Sequence, residues 1–222
     1  MVEETIAPEQ ETEVRVEPRV TERIQPPAAP TVPPEEKKYY YTDGYLYVDK
    51  TRQERVTGEA EFVLPDGSVY QGEVQEGLMH GKGKQLFTDG RKFSGNFVNG
   101  QRSGHGMYSY PDGARYIGEF KLGLFDGKGS YFFPDGSSYE GEFRGGLFDG
   151  QGTLLYTDGK KYVGTFKDDL PDGFGSLISA DGSIYEGGFQ NGKRNGEGKL
   201  VYPDGRVFEG RFKDDLFVDQ NE

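Results

Sequence analysis

The sequence predicts an all-β protein: an elongated, single-layer antiparallel meander of 23-residue β-hairpin repeats, preceded by an extended N-terminal tail. Three observations lead to this prediction. An Asp-Gly dipeptide recurs at a fixed interval, aromatic residues alternate with glycine after it, and the composition changes sharply near residue 38. Self-similarity at an interval of about 20 to 50 residues is the signature of a repeat architecture, and the 23-residue interval falls in that range.

Eight Asp-Gly dipeptides form a regular series, in which each copy lies 23 residues from the last without an insertion. Its aspartates are Asp43, Asp66, Asp89, Asp112, Asp135, Asp158, Asp181 and Asp204. Asp-Gly between two strands is a strong hairpin signal, because glycine adopts the positive φ that tight turns require and aspartate bonds to nearby backbone. A ladder of ion-binding carboxylates is the alternative interpretation. We favour turn chemistry and assign structural turn roles to Asp112, Gly113, Asp135 and Gly136.

The residues after each turn alternate as residues in strands do. Residues 116–120 read Tyr-Ile-Gly-Glu-Phe, which places both rings and the glycine on one face of a strand. Gly129, Tyr131 and Phe133 share a face in the second half of the same repeat. Each repeat is therefore one hairpin, and its mid-strand glycines leave space for a ring of a neighbouring strand. The second turn, around 123–127, is expected to be the longer one.

A break in composition divides the chain. Residues 1–38 hold 7 of the 12 prolines and no glycine or aromatic residue, whereas residues 39–222 contain all 35 glycines, all 15 tyrosines and all 16 phenylalanines. We assign 1–38 to a Pro- and Glu-rich tail and 39–222 to the repeat array. The array begins with a degenerate repeat at 47–69, continues with six full repeats at 70–207 and ends with a half-repeat at 208–222.

The tail is predicted to be extended or disordered in isolation, since its apolar content is too low to offset the entropy lost on ordering. Val14, Val16, Val20 and Ile24 nevertheless share one side of an extended segment. We expect these four residues to dock on a protein surface. A solvated acidic tail is the alternative, and the sequence leaves open whether the docking surface belongs to this sheet or to a partner.

The chain carries a net charge of −12, which disfavours nucleic acid and anionic lipid as partners. Residues 39–222 alone contain 29 acidic and 21 basic residues, so lipid binding is not expected. No apolar run reaches about 18 residues, so no transmembrane segment is predicted. The sequence contains no cysteine, which excludes disulfides and thiolate metal sites and fits a reducing compartment.

No grouping of residues indicates catalysis. The two histidines, His80 and His105, occupy non-equivalent repeat positions, and no Gly-x-Ser-x-Gly nucleophile motif accompanies them. The glycine-rich segment 123–130 lacks the spacing of a phosphate-binding loop, and 168–173 lacks the ligands that a calcium loop requires. We therefore predict a non-enzymatic protein without a catalytic residue, a metal site or a cofactor.

The aromatic face is the predicted binding site. A single sheet has no second layer to cover its rings, so we expect a contiguous, partly exposed aromatic surface of the kind that binds protein partners. The partner-binding residues predicted on this face are Phe97, Tyr108, Phe120, Tyr131, Phe143, Phe166 and Phe189.

The segment that starts at Tyr139 reads Tyr-Glu-Gly-Glu-Phe-Arg-Gly-Gly-Leu-Phe-Asp-Gly-Gln-Gly-Thr and resembles the MORN (membrane occupation and recognition nexus) repeat. The resemblance covers about 70–207 as six full repeats. Some members of that family carry a kinase or a methyltransferase domain beside the array, and no segment of this sequence is expected to form one. The resemblance therefore implies a structural scaffold that binds proteins.

Stand-alone arrays of this family resemble components of the radial spoke head, or scaffolds of the cytoskeleton and of membrane junctions. The length and acidity of the present array are most like a small radial spoke head protein of cilia and flagella. The resemblance implies a location in the cytoplasm and cytoskeleton, at the axoneme, with axonemal complex subunits or another MORN protein as partners. A membrane- or cytoskeleton-associated scaffold outside the axoneme is the alternative.

Overall fold

The computed structural model describes residues 39–218, which form strands and turns. None of these residues belongs to a helix, so the described part contains no helix that could cross a membrane. The predicted docking residues of the tail lie outside the described residues; they are Val14, Val16, Val20 and Ile24. Docking of the tail therefore stays a prediction.

Seventeen strands make up the described part of the chain. They are β1 Tyr40–Thr42, β2 Tyr45–Tyr47, β3 Gly58–Val63, β4 Val69–Gln75, β5 Leu78–Leu86, β6 Lys92–Val98, β7 Gln101–Ser109, β8 Arg115–Lys121, β9 Leu124–Phe132, β10 Ser138–Arg144, β11 Leu147–Leu155, β12 Lys161–Lys167, β13 Leu170–Ile178, β14 Ile184–Gln190, β15 Lys193–Val201, β16 Val207–Lys213 and β17 Leu216–Val218.

The strands form one small sheet and one long sheet. β1 pairs with β2, and β3 to β17 form a 15-stranded antiparallel sheet in which each strand pairs with its neighbours in the sequence. At about 4.8 Å per strand step, the long sheet extends roughly 67 Å across its strands. The predicted all-β meander of hairpin repeats is confirmed.

The Asp-Gly turns join each odd-numbered strand of the long sheet to the next even-numbered strand. Between β7 and β8, Asp112 accepts a hydrogen bond from the amide of Ala114 at 3.0 Å, and Gly113 has a φ of 95°. Between β9 and β10, Asp135 accepts the equivalent bond at 2.8 Å, and Gly136 has a φ of 94°. The carboxylate closes the turn, and glycine supplies a backbone conformation that other residues rarely adopt.

Within the long sheet, the turns from even-numbered to odd-numbered strands are short, so the expectation of a longer turn around 123–127 is wrong. Between β8 and β9 the turn consists of Leu122 and Gly123, with φ values of 52° and 83°, and β9 begins at the next residue. Two-residue turns with positive φ at both positions match the twist of the strands that they join. Residues 126–128, which a longer turn would have contained, instead form a bulge in β9 opposite Glu119, where the pairing register shifts.

The N-terminal hairpin of β1 and β2 lies against the first repeat. Leu46 is fully buried, its amide donates to the carbonyl of Gly77 at 2.9 Å, and its carbonyl accepts from the amide of Val56 at 3.0 Å. Val56 occupies the position that Phe125 occupies in a full repeat. The partner of Phe125 is Phe120, which belongs to the preceding even-numbered strand, whereas the partner of Val56 is Leu46 of the hairpin. The hairpin therefore takes the place of an incomplete strand at this end of the sheet.

The core lies on one face of the long sheet. We call this the ring face and define it by Tyr116, Gly118 and Phe120; the opposite, open face is defined by Ile117 and Glu119. Tyr116 is fully buried, whereas Ile117 is 46% exposed. The most deeply buried rings of the ring face are Tyr70, Phe93, Phe97, Tyr116, Tyr139, Tyr162, Phe166, Tyr185 and Phe212.

Pairs of glycines make room for these rings. Gly118 in β8 pairs with Gly129 in β9, and the ring of Tyr116 lies over both. A methyl group added to Gly118 would lie 2.5 Å from the Cα atom of Gly129, and one added to Gly129 would lie 2.5 Å from the Tyr116 ring. A methyl group does not approach another carbon atom this closely in a folded protein, so both positions require glycine.

We predict that Gly118→Ala lowers the free energy of unfolding by about 3 kcal/mol, because the added methyl group meets backbone atoms that cannot rotate away. Gly113→Ala is the matched control: nothing lies within 4 Å of its methyl group, and only the positive φ opposes it, at roughly 1 kcal/mol. Urea unfolding followed by circular dichroism measures both variants. Equal losses would show that the glycine pair is not a packing requirement.

Candidate functional site

In the five full repeats that begin with tyrosine, a bulge fixes the tyrosine next to it. The ladder between β8 and β9 is interrupted between Gly118 and Phe120, which leaves the carbonyl of Glu119 to accept a bond from the hydroxyl of Tyr116 at 2.8 Å. The same bond, at 2.7 to 3.0 Å, is made by Tyr70, Tyr139, Tyr162 and Tyr185. Burial raises the pKa of these tyrosines, to about 12 for Tyr162, so the hydroxyls remain donors at neutral pH.

The rings predicted to bind a partner belong, with one exception, to the core. We expected partly exposed rings, but six of the seven are no more than 5% exposed, so that expectation is wrong for them. The six are Phe97, Tyr108, Phe120, Phe143, Phe166 and Phe189. Tyr131 is half-buried, and its role as a binding residue stays a prediction.

Edge-to-face packing between neighbouring repeats buries this row of rings. The ring of Phe143 lies 4.8 Å from Tyr116 and 5.2 Å from Tyr139, with interplanar angles of 79° and 88°. Phe120 packs against Phe93 in the same way, at 5.0 Å. Aromatic pairs favour this geometry because the positive edge of one ring meets the negative face of the other. A single sheet can therefore cover its own rings.

A second set of rings on the ring face is half-buried and lines a groove of about 570 Å³. We define this central groove by Tyr110, Phe125, Tyr131, Phe133, Phe148 and Tyr156, with Leu154, Asp135 and Asp169 in its wall. Centroid distances are 4.8 Å between Tyr131 and Phe133 and 6.1 Å between Phe133 and Phe148. A mostly apolar hollow with a few polar groups is the usual form of a binding site.

Two stacked ring pairs form the floor of the central groove. Phe125 stacks on Tyr116 at 3.9 Å, and Phe148 stacks on Tyr139 at 3.8 Å. The equivalent positions of the other repeats hold Met79, Arg102, Pro171, Arg194 and Phe217. Sequence reasoning missed this floor, although a signal exists: Leu-Phe-Asp-Gly occurs in the two central repeats alone, at 124–127 and 147–150.

Two carboxylates give the central groove a negatively charged wall. Asp135 accepts a hydrogen bond from the amide of Ser137 at 2.8 Å, and the bonds from Ser137 lower the pKa of that carboxyl group, so it is ionised at neutral pH. Asp169 accepts from the amide of Phe148 at 2.8 Å. The groove therefore offers a partner an aromatic floor beside negative charge.

The described residues show no site for chemistry. Within 39–218, no group of three or more His, Cys, Asp or Glu side chains could hold a metal ion. His80 lies in β5 and His105 lies in β7, and neither lines the central groove. His105 instead lines a hollow on the open face together with Ser94 and Lys128.

The family model for the MORN repeat matches six segments of the chain, which cover more than half of it. The segments are 70–90, 93–115, 116–138, 139–161, 162–184 and 185–205. Every match begins at the tyrosine or phenylalanine that lies over a glycine pair. The chain therefore belongs to the MORN repeat family, whose repeats are typical of protein-binding scaffolds. No curated protein matches it.

Solved structures of similar shape share little sequence with this chain. The Drosophila melanogaster SAS-4 TCP domain, solved with a proline-rich motif of Ana2, is 16% identical over 84% of this chain and 95% of that one, with a TM-score of 0.42. The Danio rerio CPAP TCP10 domain, solved with a STIL peptide, is 21% identical over 68% and 82%, with a TM-score of 0.32. At these identities and TM-scores, the function of these structures is not assigned to this chain.

The chain offers a matched test of the tyrosine hydroxyl, because Phe93 replaces tyrosine in one repeat. We predict that Tyr139→Phe lowers the free energy of unfolding by about 1 kcal/mol, since it removes the bond to the carbonyl of Glu142. Phe93→Tyr should raise that free energy by a similar amount. Thermal and urea unfolding of both variants measure the pair. A stabilising Tyr139→Phe, or a destabilising Phe93→Tyr, would contradict the assigned role.

Proposed function

We propose that this protein is a non-enzymatic scaffold that holds a segment of a partner protein in the central groove, as part of a ciliary or flagellar axonemal complex such as the radial spoke head. The central groove is the observation that carries the proposal. Its six rings are half-buried and lie together, whereas the neighbouring row that contains Phe120 and Phe143 is buried by its own repeats. Aromatic surface of this kind is enriched at protein interfaces.

The position of the groove suits a scaffold. Its floor rests on Tyr116 and Tyr139, which are fixed by packing over glycine pairs and by hydrogen bonds to the backbone. A rigid floor reduces the entropy that binding would otherwise lose, because the rings need not be ordered when a partner arrives. The strands on either side of the groove extend the same rigid frame toward both ends of the long sheet.

The axonemal part of the proposal rests on resemblance. A row of MORN repeats with a net charge of −12 is most like the small proteins of the radial spoke head. Its test is the proteome of purified axonemes from ciliated cells that express the tagged protein. Enrichment with spoke subunits supports the proposal. Absence from axonemes, with flotation on anionic vesicles, would favour a membrane scaffold instead.

We predict that the double variant Phe133→Ala, Tyr156→Ala lowers recovery of the native partner at least about tenfold, because truncating interface aromatic residues commonly costs that much. Phe174→Ala is the control: Phe174 is 72% exposed on the open face, and its loss should leave recovery unchanged. Affinity capture from cell extract, quantified by mass spectrometry, measures the effect.

Melting temperatures and circular dichroism spectra of both variants separate lost binding from lost structure. Equal recovery by the groove variant and the wild-type chain would contradict the use of the groove, and so would a loss that the Phe174 variant shares.

A further inference from the structure

Several Asp-Gly turns of the long sheet place a cation over the ring that precedes the turn. Arg91 lies over Phe87 at 5.2 Å from the ring centroid, Lys160 over Tyr156 at 4.9 Å and Arg206 over Tyr202 at 4.6 Å. Each cation follows directly on its Asp-Gly turn. Attraction between a guanidinium group and the negative face of a ring stabilises such pairs.

Five Asp-Gly turns of the long sheet follow a ring at this position, and two of the five lack the cation. Ala114 and Ser137 stand where Arg91, Lys160 and Arg206 stand in the other three. Among the described residues no Lys or Arg lies over Tyr110 or Phe133, the rings that belong to those two turns. Both rings line the central groove.

A second position that holds arginine in two other repeats holds phenylalanine beside the central groove. Arg102 lies 5.1 Å from the ring of Tyr108, and Arg194 lies 5.6 Å from that of Tyr185. Phe125 and Phe148 stand at the equivalent central positions. In the central groove Lys160 therefore covers Tyr156, whereas among the described residues no cation lies over the faces of Tyr110 and Phe133.

The wall of the groove adds negative charge. Asp135 and Asp169 both line it, and residues 39–222 carry eight more acidic than basic residues. A positively charged group that enters the groove would meet ring faces below it and carboxylates beside it. Charge complementarity of this kind favours a basic partner over a neutral or acidic one.

The spacing of the rings selects a backbone conformation for that partner. Tyr110 and Phe133 occupy equivalent positions in consecutive repeats, two strand steps or about 9.6 Å apart. A polyproline II segment places every third residue on the same side, about 9.3 Å apart. In a β-strand, same-side residues are about 6.7 Å apart, which does not match the repeat.

We propose that the partner segment held in the central groove is arginine-bearing and adopts the polyproline II conformation, with arginines three residues apart over Tyr110 and Phe133. This inference rests on the proposed function and supplies the chemistry of its partner. The guanidinium groups take the position over Tyr110 and Phe133 that Arg91 and Arg206 take over Phe87 and Tyr202, and Asp135 and Asp169 balance their charge.

The test uses the full chain and three synthetic hexapeptides. The first is acetyl-Pro-Arg-Pro-Pro-Arg-Pro-amide; the second replaces both arginines with citrulline, which is uncharged and nearly the same shape; the third moves the arginines to two residues apart. Isothermal titration should show the first peptide binding at least tenfold more tightly than either of the others. Its affinity should fall as salt rises from about 50 to about 500 mM.

Two variants connect the binding to the groove. Asp135→Asn with Asp169→Asn keeps an oxygen acceptor for each backbone amide but removes the charge, and it should weaken the first peptide about tenfold. Asp181→Asn is the control, because Asp181 accepts the same turn bond from Ser183 outside the groove; it should change nothing.

Equal binding of the citrulline peptide would overturn the cation assignment, and equal binding of the third peptide would overturn the spacing. If no peptide binds at millimolar concentration, the proposal is overturned. It is also overturned if peptide binding disappears when the chain self-associates, because a second copy of the chain would then occupy the groove. If the first peptide fails but Phe133→Ala, Tyr156→Ala still loses the native partner, the scaffold function stands without the arginine chemistry.

Discussion

The structure depends on a tyrosine ring that lies over two glycines of adjacent strands and bonds to a carbonyl beyond them. Tyr116 shows all its parts: the ring covers Gly118 and Gly129, and the hydroxyl donates to Glu119 across the bulge. The contact joins the core to the backbone, because any side chain at either glycine would displace the ring. Each such unit touches only its neighbours, so the stability of the array is expected to build up repeat by repeat.

Self-covering of the ring face also determines where a partner can bind. Edge-to-face contacts bury the row that contains Phe120 and Phe143, so recognition on this face needs half-buried rings such as the set that lies together in the central groove. Few substitutions create that surface. Phenylalanine stands at 125 and 148, where two other repeats hold Arg102 and Arg194, and small residues stand at 114 and 137, where the other ring-bearing turns of the long sheet hold a cation. The shared repeat residues build the sheet, and the residues that differ between repeats determine what the groove can bind.

The period, the Asp-Gly turns and the space made by glycine could all be predicted from the sequence, because each depends on local backbone geometry. The burial of Phe120 and Phe143 could not, since it depends on ring angles between repeats that alternation does not reveal. The turn at Leu122 was misjudged for a similar reason: a bulge and a longer turn use the same number of residues. The groove was missed because its rings come from five ends of three strands, β7, β9 and β11.

Tyrosine reactivity tests the central claim most directly. Hydroxyl-radical footprinting of the intact chain, with mass spectrometry to locate the modified residues, compares buried and groove tyrosines in one experiment. The account predicts slow modification of Tyr70, Tyr116, Tyr139, Tyr162 and Tyr185, and fast modification of Tyr110, Tyr131 and Tyr156. Modification of Tyr116 and Tyr139 as fast as that of Tyr131 would contradict it, because the rings would then not be held over their glycine pairs.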